Sequence, residues 1–163
     1  MYALQDVNKQ LPNDINAFLR LGVSVREETQ EKLISLLEKS GSIAPVQDYQ
    51  LMAPVPHPTS CRDGYAFRQH VEAARRNRGV DMIQEFDQYP IFYFTNHNAI
   101  QGPGAIYCMP DHFQQLDFEL EIAIVIGKEG KNIKAKDADE YIAGFTIMND
   151  LSARKLQMEE MLL

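Results

Sequence analysis

From Leu116 to Ile126 the chain alternates. Leu116, Phe118, Leu120, Ile122, Ile124 and Ile126 are apolar, with Asp117, Glu119, Glu121, Ala123 and Val125 between them. A period of two predicts a strand that sends one set of side chains into a core and the other to the opposite face. Glu119 and Glu121 then share a face, roughly 7 Å apart by the rise per residue of a strand. Neighbouring carboxylates repel and raise each other's pKa unless a cation lies between them. One wet face on a strand is the ordinary explanation of such acids. Here the same face turns apolar at Ala123 and Val125, so the acids form a polar patch at one end of an otherwise dry strand.

Other patterns fill in the chain on either side. Ser24 and Glu27 have the spacing of a helix capping box, Leu33, Ile34, Leu36 and Leu37 form an apolar stripe, and Gly41 marks a stop. Residues 1–48 therefore read as a small helical region, followed from residue 49 by a second domain. Tyr49 to Val55 is a short apolar run read as a strand, and Pro54, Pro56 and Pro58 then enforce an extended passage. Ala66 to Arg78 is composed of helix formers, with Gly79 placed to end the helix in a left-handed conformation. If helical geometry began at Asp63, that acid and His70 would share a face. Tyr89 to Thr95 is an aromatic strand, NHNAIQGPG a turn-rich loop, and Ala105 to Met109 a further short strand. After a turn at Gly127 to Asn132, Asp137 to Ile142 reads as a helical turn or two. Ala143 to Met148 reads as a strand ending on Asn149 and Asp150. From Ser152 a helix runs to Leu163, with Arg154 and Gln157 on one face.

Composition limits the function classes. A chain of 163 residues with 45% hydrophobic and 24% charged residues can bury a core and is not generally disordered. Its net charge of −7 argues against nucleic acid, whose phosphates need a basic footprint. The local exception, Arg75, Arg76 and Arg78, reads first as a solvated helix end. Cys61 and Cys108 are far apart without CxxC spacing, suggesting neither a disulfide framework nor a zinc site. No stretch approaches the ~20 apolar residues of a membrane span, so a cytoplasmic protein is expected.

Asp63, Glu119, Glu121 and Asp150 stand at predicted strand ends or turns. Hard oxygen donors of this kind suit Mg²⁺, Ca²⁺ or Mn²⁺ rather than zinc or copper. Any 23 acids allow many such quartets, so pattern alone leaves the set open. A lone His70 in a helix is, by the same standard, an ordinary surface or satisfied core residue.

Three ordered motifs sharpen this: RDGYAFRQH at 62–70, LDFELEIAIVIGKEG at 116–130 and NDLSARKLQ at 149–157. Together they resemble the fumarylacetoacetate hydrolase family from about Pro54 onward. The resemblance implies an α+β, β-rich fold, a mixed β-sandwich roll preceded by the small helical region, and a metal-dependent enzyme acting on β-dicarbonyl acids. It implies Asp63, Glu119, Glu121 and Asp150 as ligands of Mg²⁺ or Ca²⁺ (Mn²⁺ as an alternative) and His70 as general base. Arg154 and Gln157 would be oxyanion donors, with Tyr65 and Tyr93 as substrate contacts. The RQH triplet at Arg68 to His70 is closest to the fumarylacetoacetase branch. That branch points to cleavage of fumarylacetoacetate in tyrosine and phenylalanine breakdown, with a homodimer as the expected assembly. Acylpyruvate hydrolysis, decarboxylation of a 2-oxo acid, and hydratase or isomerase chemistry are the alternatives within the fold. A non-catalytic metal-binding fragment is the alternative outside it.

The same chemistry explains the residue types. A β-diketo acid offers two oxygens to one cation, which polarises the carbonyl. Water activated by His70 attacks, and Arg154 and Gln157 stabilise the oxyanion. Arg75, Arg76 or Arg78 could meet a substrate carboxylate. Family members continue for about as long again beyond the position of Leu163, adding a lysine, a Gly-Thr contact, a glutamate that orients the histidine, and strands that close the roll. An incomplete roll is therefore expected here.

Overall fold

A computed structural model describes residues 2–39 and 47–160. Its contacts divide the chain into two units, one made of Met1–Pro54 with Gly102–Leu163 and the other of Val55–Gln101. The architecture is mixed helix and sheet, with three two-stranded antiparallel sheets and no closed barrel among the described residues. This is a partial form of the expected roll. No helix among the described residues is long and apolar enough to cross a membrane.

The first unit begins with helices α1 (Leu4–Val7), α2 (Ile15–Arg20) and α3 (Val23–Glu38). Asp14 caps α2, its carboxylate accepting from the Ala17 amide at 2.8 Å. The capping box expected at Ser24 and Glu27 does not form, because α3 starts two residues earlier, at Val23 with Gly22 as its N-cap. Gly22, at φ 89°, reverses the chain between α2 and α3, so the helix begins directly after it and Ser24 falls inside the first turn. Val25, Thr29, Leu33 and Leu36 recur at helical spacing as the less exposed stripe of α3, whereas Ile34 and Leu37 are exposed. Val7 and Leu11 are buried in this unit. The stop expected at Gly41 lies outside the described residues.

The strands of the first unit follow. Strand β3 (Leu116–Asp117) pairs with β6 (Ser152–Ala153), and β4 (Leu120–Ile126) pairs with β5 (Ile142–Asn149). The alternation is present, but its sides are reversed from expectation. Leu120, Ile122, Ile124 and Ile126 are exposed, as are Phe145 and Ile147 opposite them. Ile122 is 65% and its partner Ile147 is 76% accessible, so nothing among the described residues covers this apolar face. Glu119 and Glu121 lie on the less exposed side, whereas Asp117 is exposed. At the end of β4 the Arg26 guanidinium donates to the Gly127 carbonyl at 2.8 Å, tying α3 to the strand. A Cβ at Gly127 would fall 2.5 Å from Arg26 Nη1 and 2.6 Å from Ala143 Cβ, so the residue has to be glycine for this approach. A 3₁₀ segment, Ala135–Tyr141, leads into β5, and helix α5 (Arg154–Glu160) follows β6 directly. The expected end of that helix at Met161 to Leu163 is outside the described residues.

The second unit contains β1 (Cys61–Gly64), α4 (Arg68–Asn77) and β2 (Phe92–Thr95), with β1 and β2 antiparallel. Asp63 belongs to β1 rather than to the helix, so its supposed seven-residue helical relation to His70 does not exist. The runs Tyr49 to Val55 and Ala105 to Met109 are not strands either; apolar composition without a ladder partner leaves them irregular. The end of α4 follows its sequence closely. Gly79 has φ 69°, its amide donates to Arg76 O at 3.0 Å, and the Val80 amide donates to Arg75 O at 3.1 Å. This is a Schellman ending. Arg68 is paired with Asp87 and Glu72, and its guanidinium is raised above the ordinary arginine value, first by the hydrogen bond to Asp87.

Gly79→Ala forces a Cβ into left-handed backbone and is expected to lower stability by about 1 kcal/mol. Urea unfolding followed by circular dichroism measures it, with Gly22→Ala as a second positive-φ site and Gly144→Ala, an ordinary backbone position, as the neutral reference.

Candidate metal centre

The site is built on a backbone exchange. The Glu119 amide donates to Asp150 O at 3.1 Å and the Asp150 amide donates to Glu119 O at 2.9 Å. These bonds continue the β4–β5 ladder, in which Leu120 lies opposite Asn149 and Glu121 opposite Met148. Asn149 adds its side chain, Oδ1 accepting from the Glu119 amide at 3.2 Å. Glu119 and Asp150, 31 positions apart in the chain, are thereby fixed side by side. Glu121 and Asp150 are each partly buried, with carboxylate oxygens within 4.8 Å of one another. That gap suits two oxygens on one hard cation, whose metal–oxygen distances are about 2.0–2.6 Å.

Glu119 has a different immediate partner. Arg154 Nη1 lies 2.5 Å from Glu119 Oε1, and Nε lies 3.0 Å from Asp117 Oδ2. Nη1 also donates to Gln157 Oε1 at 3.1 Å, so the predicted pairing of Arg154 and Gln157 on one helix face is present. The local fold dictates this arrangement. Asp117 pairs with Ser152 across β3–β6, and the Arg154 amide donates to Gln115 O at 3.0 Å, so the first residue of α5 starts against β3. Lys155 reinforces the junction, its Nζ donating to Gln114 Oε1 at 2.7 Å.

Electrostatics follow the geometry. The hydrogen bond from Arg154, and after it the Phe118 amide, hold the Asp117 carboxyl below the ordinary aspartate value. Partial burial pulls the Arg154 guanidinium down, but Asp117 and Glu119 more than offset that and leave it raised. Asp117 was not among the residues singled out from the sequence. Its signal was present in the period-two count, which places it on the same face as Glu119 and Glu121.

In the other unit, Asp63 lies opposite Tyr93 in the β1–β2 register, and the Tyr93 hydroxyl donates to Asp63 Oδ2 at 2.6 Å. Direct partners on an antiparallel ladder share a face, which explains the contact. Tyr65 and Tyr93 are exposed, and His70 is exposed in the first turn of α4.

Residues 59–163 match the family model described as fumarylacetoacetate (FAA) hydrolase C-terminal. The chain belongs to the fumarylacetoacetate hydrolase family. It is 28% identical over 158 residues to a fumarylacetoacetate hydrolase domain-containing protein 2 homolog of Dictyostelium discoideum, covering 96% of this chain and 48% of that one. It is 33% identical over 150 residues to a mitochondrial oxaloacetate tautomerase of Homo sapiens, covering 91% of this chain and 44% of that protein. The crystal structure of a putative HpcE protein from Mycobacterium smegmatis superposes with a TM-score of 0.68 at 21% identity, covering 95% of this chain and 50% of that one. The chain thus spans about half the length of the curated relatives it matches.

Glu121→Gln and Asp150→Asn are each expected to weaken Mg²⁺ binding at least about tenfold, the lower bound known for losses even outside the coordination shell. Isothermal titration measures this, with exposed Asp139→Asn as a control that should bind like wild type. The Asp117 carboxyl should titrate below the ordinary value of roughly 4. Because its folded value is depressed, the stabilisation it brings is present above the ordinary carboxylate range and lost as pH falls through the depressed value. Carboxyl-carbon NMR reads the midpoint, and Arg154→Met should move it upward.

Proposed function

We propose that this chain carries the divalent-cation site of an enzyme acting on enolisable 2-oxo acids, with Glu119, Glu121 and Asp150 as ligands. The observation that carries the reading is the Glu119–Asp150 backbone exchange, with Glu121 and Asp150 carboxylates within 4.8 Å of one another. The residues fit Mg²⁺, Ca²⁺ or Mn²⁺, since all of the donors are hard oxygens. Bound there, the cation supplies Lewis acidity that polarises a 2-oxo group. The remaining work belongs to side chains. Arg154 and Gln157 offer donors to the oxygen on which charge develops. His70 moves the proton as general base, and Tyr65 and Tyr93 contact the substrate.

The reaction that the relatives favour is tautomerisation of a 2-oxo dicarboxylic acid. Relatives named oxaloacetate tautomerase are 30–34% identical and match 91–96% of this chain. In that reaction a proton leaves carbon and another reaches oxygen, and no bond between heavy atoms breaks. A second reading is hydrolysis of a C–C bond in a β-diketo acid such as fumarylacetoacetate, as in tyrosine breakdown. The RDGYAFRQH motif at 62–70 favours it. For either reaction we propose a homodimer acting on a small-molecule substrate.

Proton NMR of the protein with Mg²⁺ separates the readings. Faster keto–enol exchange of oxaloacetate, at least tenfold above the Mg²⁺ blank and lost in Asp150→Asn, is the expected result. Appearance of fumarate and acetoacetate from fumarylacetoacetate would establish the second reading instead. Neither change, with Mg²⁺ binding demonstrated, would sink both.

A further inference from the structure

Arg154 is shared between two carboxylates that meet it through different atoms. Asp117 takes Nε at 3.0 Å, while Glu119 takes Nη1 at 2.5 Å. The two contacts are held by different elements. Asp117 is fixed to the strand that precedes α5 by the β3–β6 register, and its other oxygen accepts from the Phe118 amide at 2.9 Å. Glu119 is fixed through its backbone to Asp150, so its side chain alone decides where its charge is spent. A guanidinium is a planar fork with separate donors, and it can keep one partner while exchanging the other. Lysine has no such division.

We infer that Asp117 is a positioning residue that anchors Arg154 permanently through Nε, and that Glu119 is its exchangeable partner at Nη1. When Glu119 turns to a divalent cation, the Nη1 edge of Arg154 is released toward a carboxylate or enolate oxygen of the substrate. The cation would then bind first and the anion second. This rests on the reading of Glu119 as a metal ligand. Gln157, which accepts from the same Nη1 at 3.1 Å, keeps the freed edge oriented during the exchange.

The test uses side-chain ¹H–¹⁵N spectra of arginine, titrated with MgCl₂ and then with malonate, an unreactive dicarboxylate. In the wild type, Mg²⁺ should shift the Arg154 Nη signals and leave the hydrogen-bonded Nε–H signal in place. Asp117→Asn should lose that Nε–H signal with or without Mg²⁺ and weaken malonate binding to the Mg²⁺ form at least fivefold. The sign is diagnostic, because removing a negative charge would by bulk electrostatics strengthen anion binding. Arg154→Lys should weaken malonate binding similarly although it keeps the charge. Mg²⁺ binding that leaves the Nη signals unmoved, or an Asp117→Asn protein that binds malonate as well as wild type, overturns the inference and leaves the cation site standing. No Mg²⁺ binding at all overturns both. Circular dichroism confirms that each variant is folded.

Discussion

The candidate site depends on one pair of backbone hydrogen bonds, exchanged between Glu119 and Asp150 at 2.9 and 3.1 Å. An antiparallel ladder fixes which residues are neighbours to within a residue, since a slip of one would send every side chain to the other face. Glu121 and Asp150 therefore come together through the register of β4 and β5 rather than through their own attraction, which as like charges is repulsive. The fold holds two acids at a spacing that a shared cation would make favourable. This is the physical case for a metal centre.

The same constraint reaches Arg154. The β3–β6 pairing stops just before α5, so the first helical residue emerges beside Asp117 and Glu119. The result is a row in which Arg154 lies between Asp117 and Glu119 and offsets part of their negative charge, with Glu121 and Asp150 beside it. An arginine between acids lowers the local negative charge and supplies donors for an anion. The acids and the arginine thus lie close together within one unit.

The β4–β5 face bearing Leu120, Ile122, Ile124, Phe145 and Ile147 is the largest departure from an ordinary soluble surface. Contiguous exposed apolar residues of this extent are uncommon on monomeric proteins. Family relatives carry about twice the length of chain, and the described residues supply nothing to cover this face.

Much was legible in the sequence. The alternation over 116–126, the helix and glycine stop at 68–79, the strand before Asn149 and the shared face of Arg154 and Gln157 all follow from local periodicity, which needs no distant partner. Local rules failed where a neighbour decided the outcome. Ser24 lost its cap to a turn at Gly22, and Tyr49 to Val55 and Ala105 to Met109 found no ladder partner. Asp63 entered a strand because β2 was there to pair with it. Period two separates two faces but does not say which is covered, since covering depends on what packs against the sheet. Only the tertiary structure could assign the exposed face to the isoleucines. Only the register could join Asp117 to Arg154, which lie 37 positions apart and have no periodic relation in sequence.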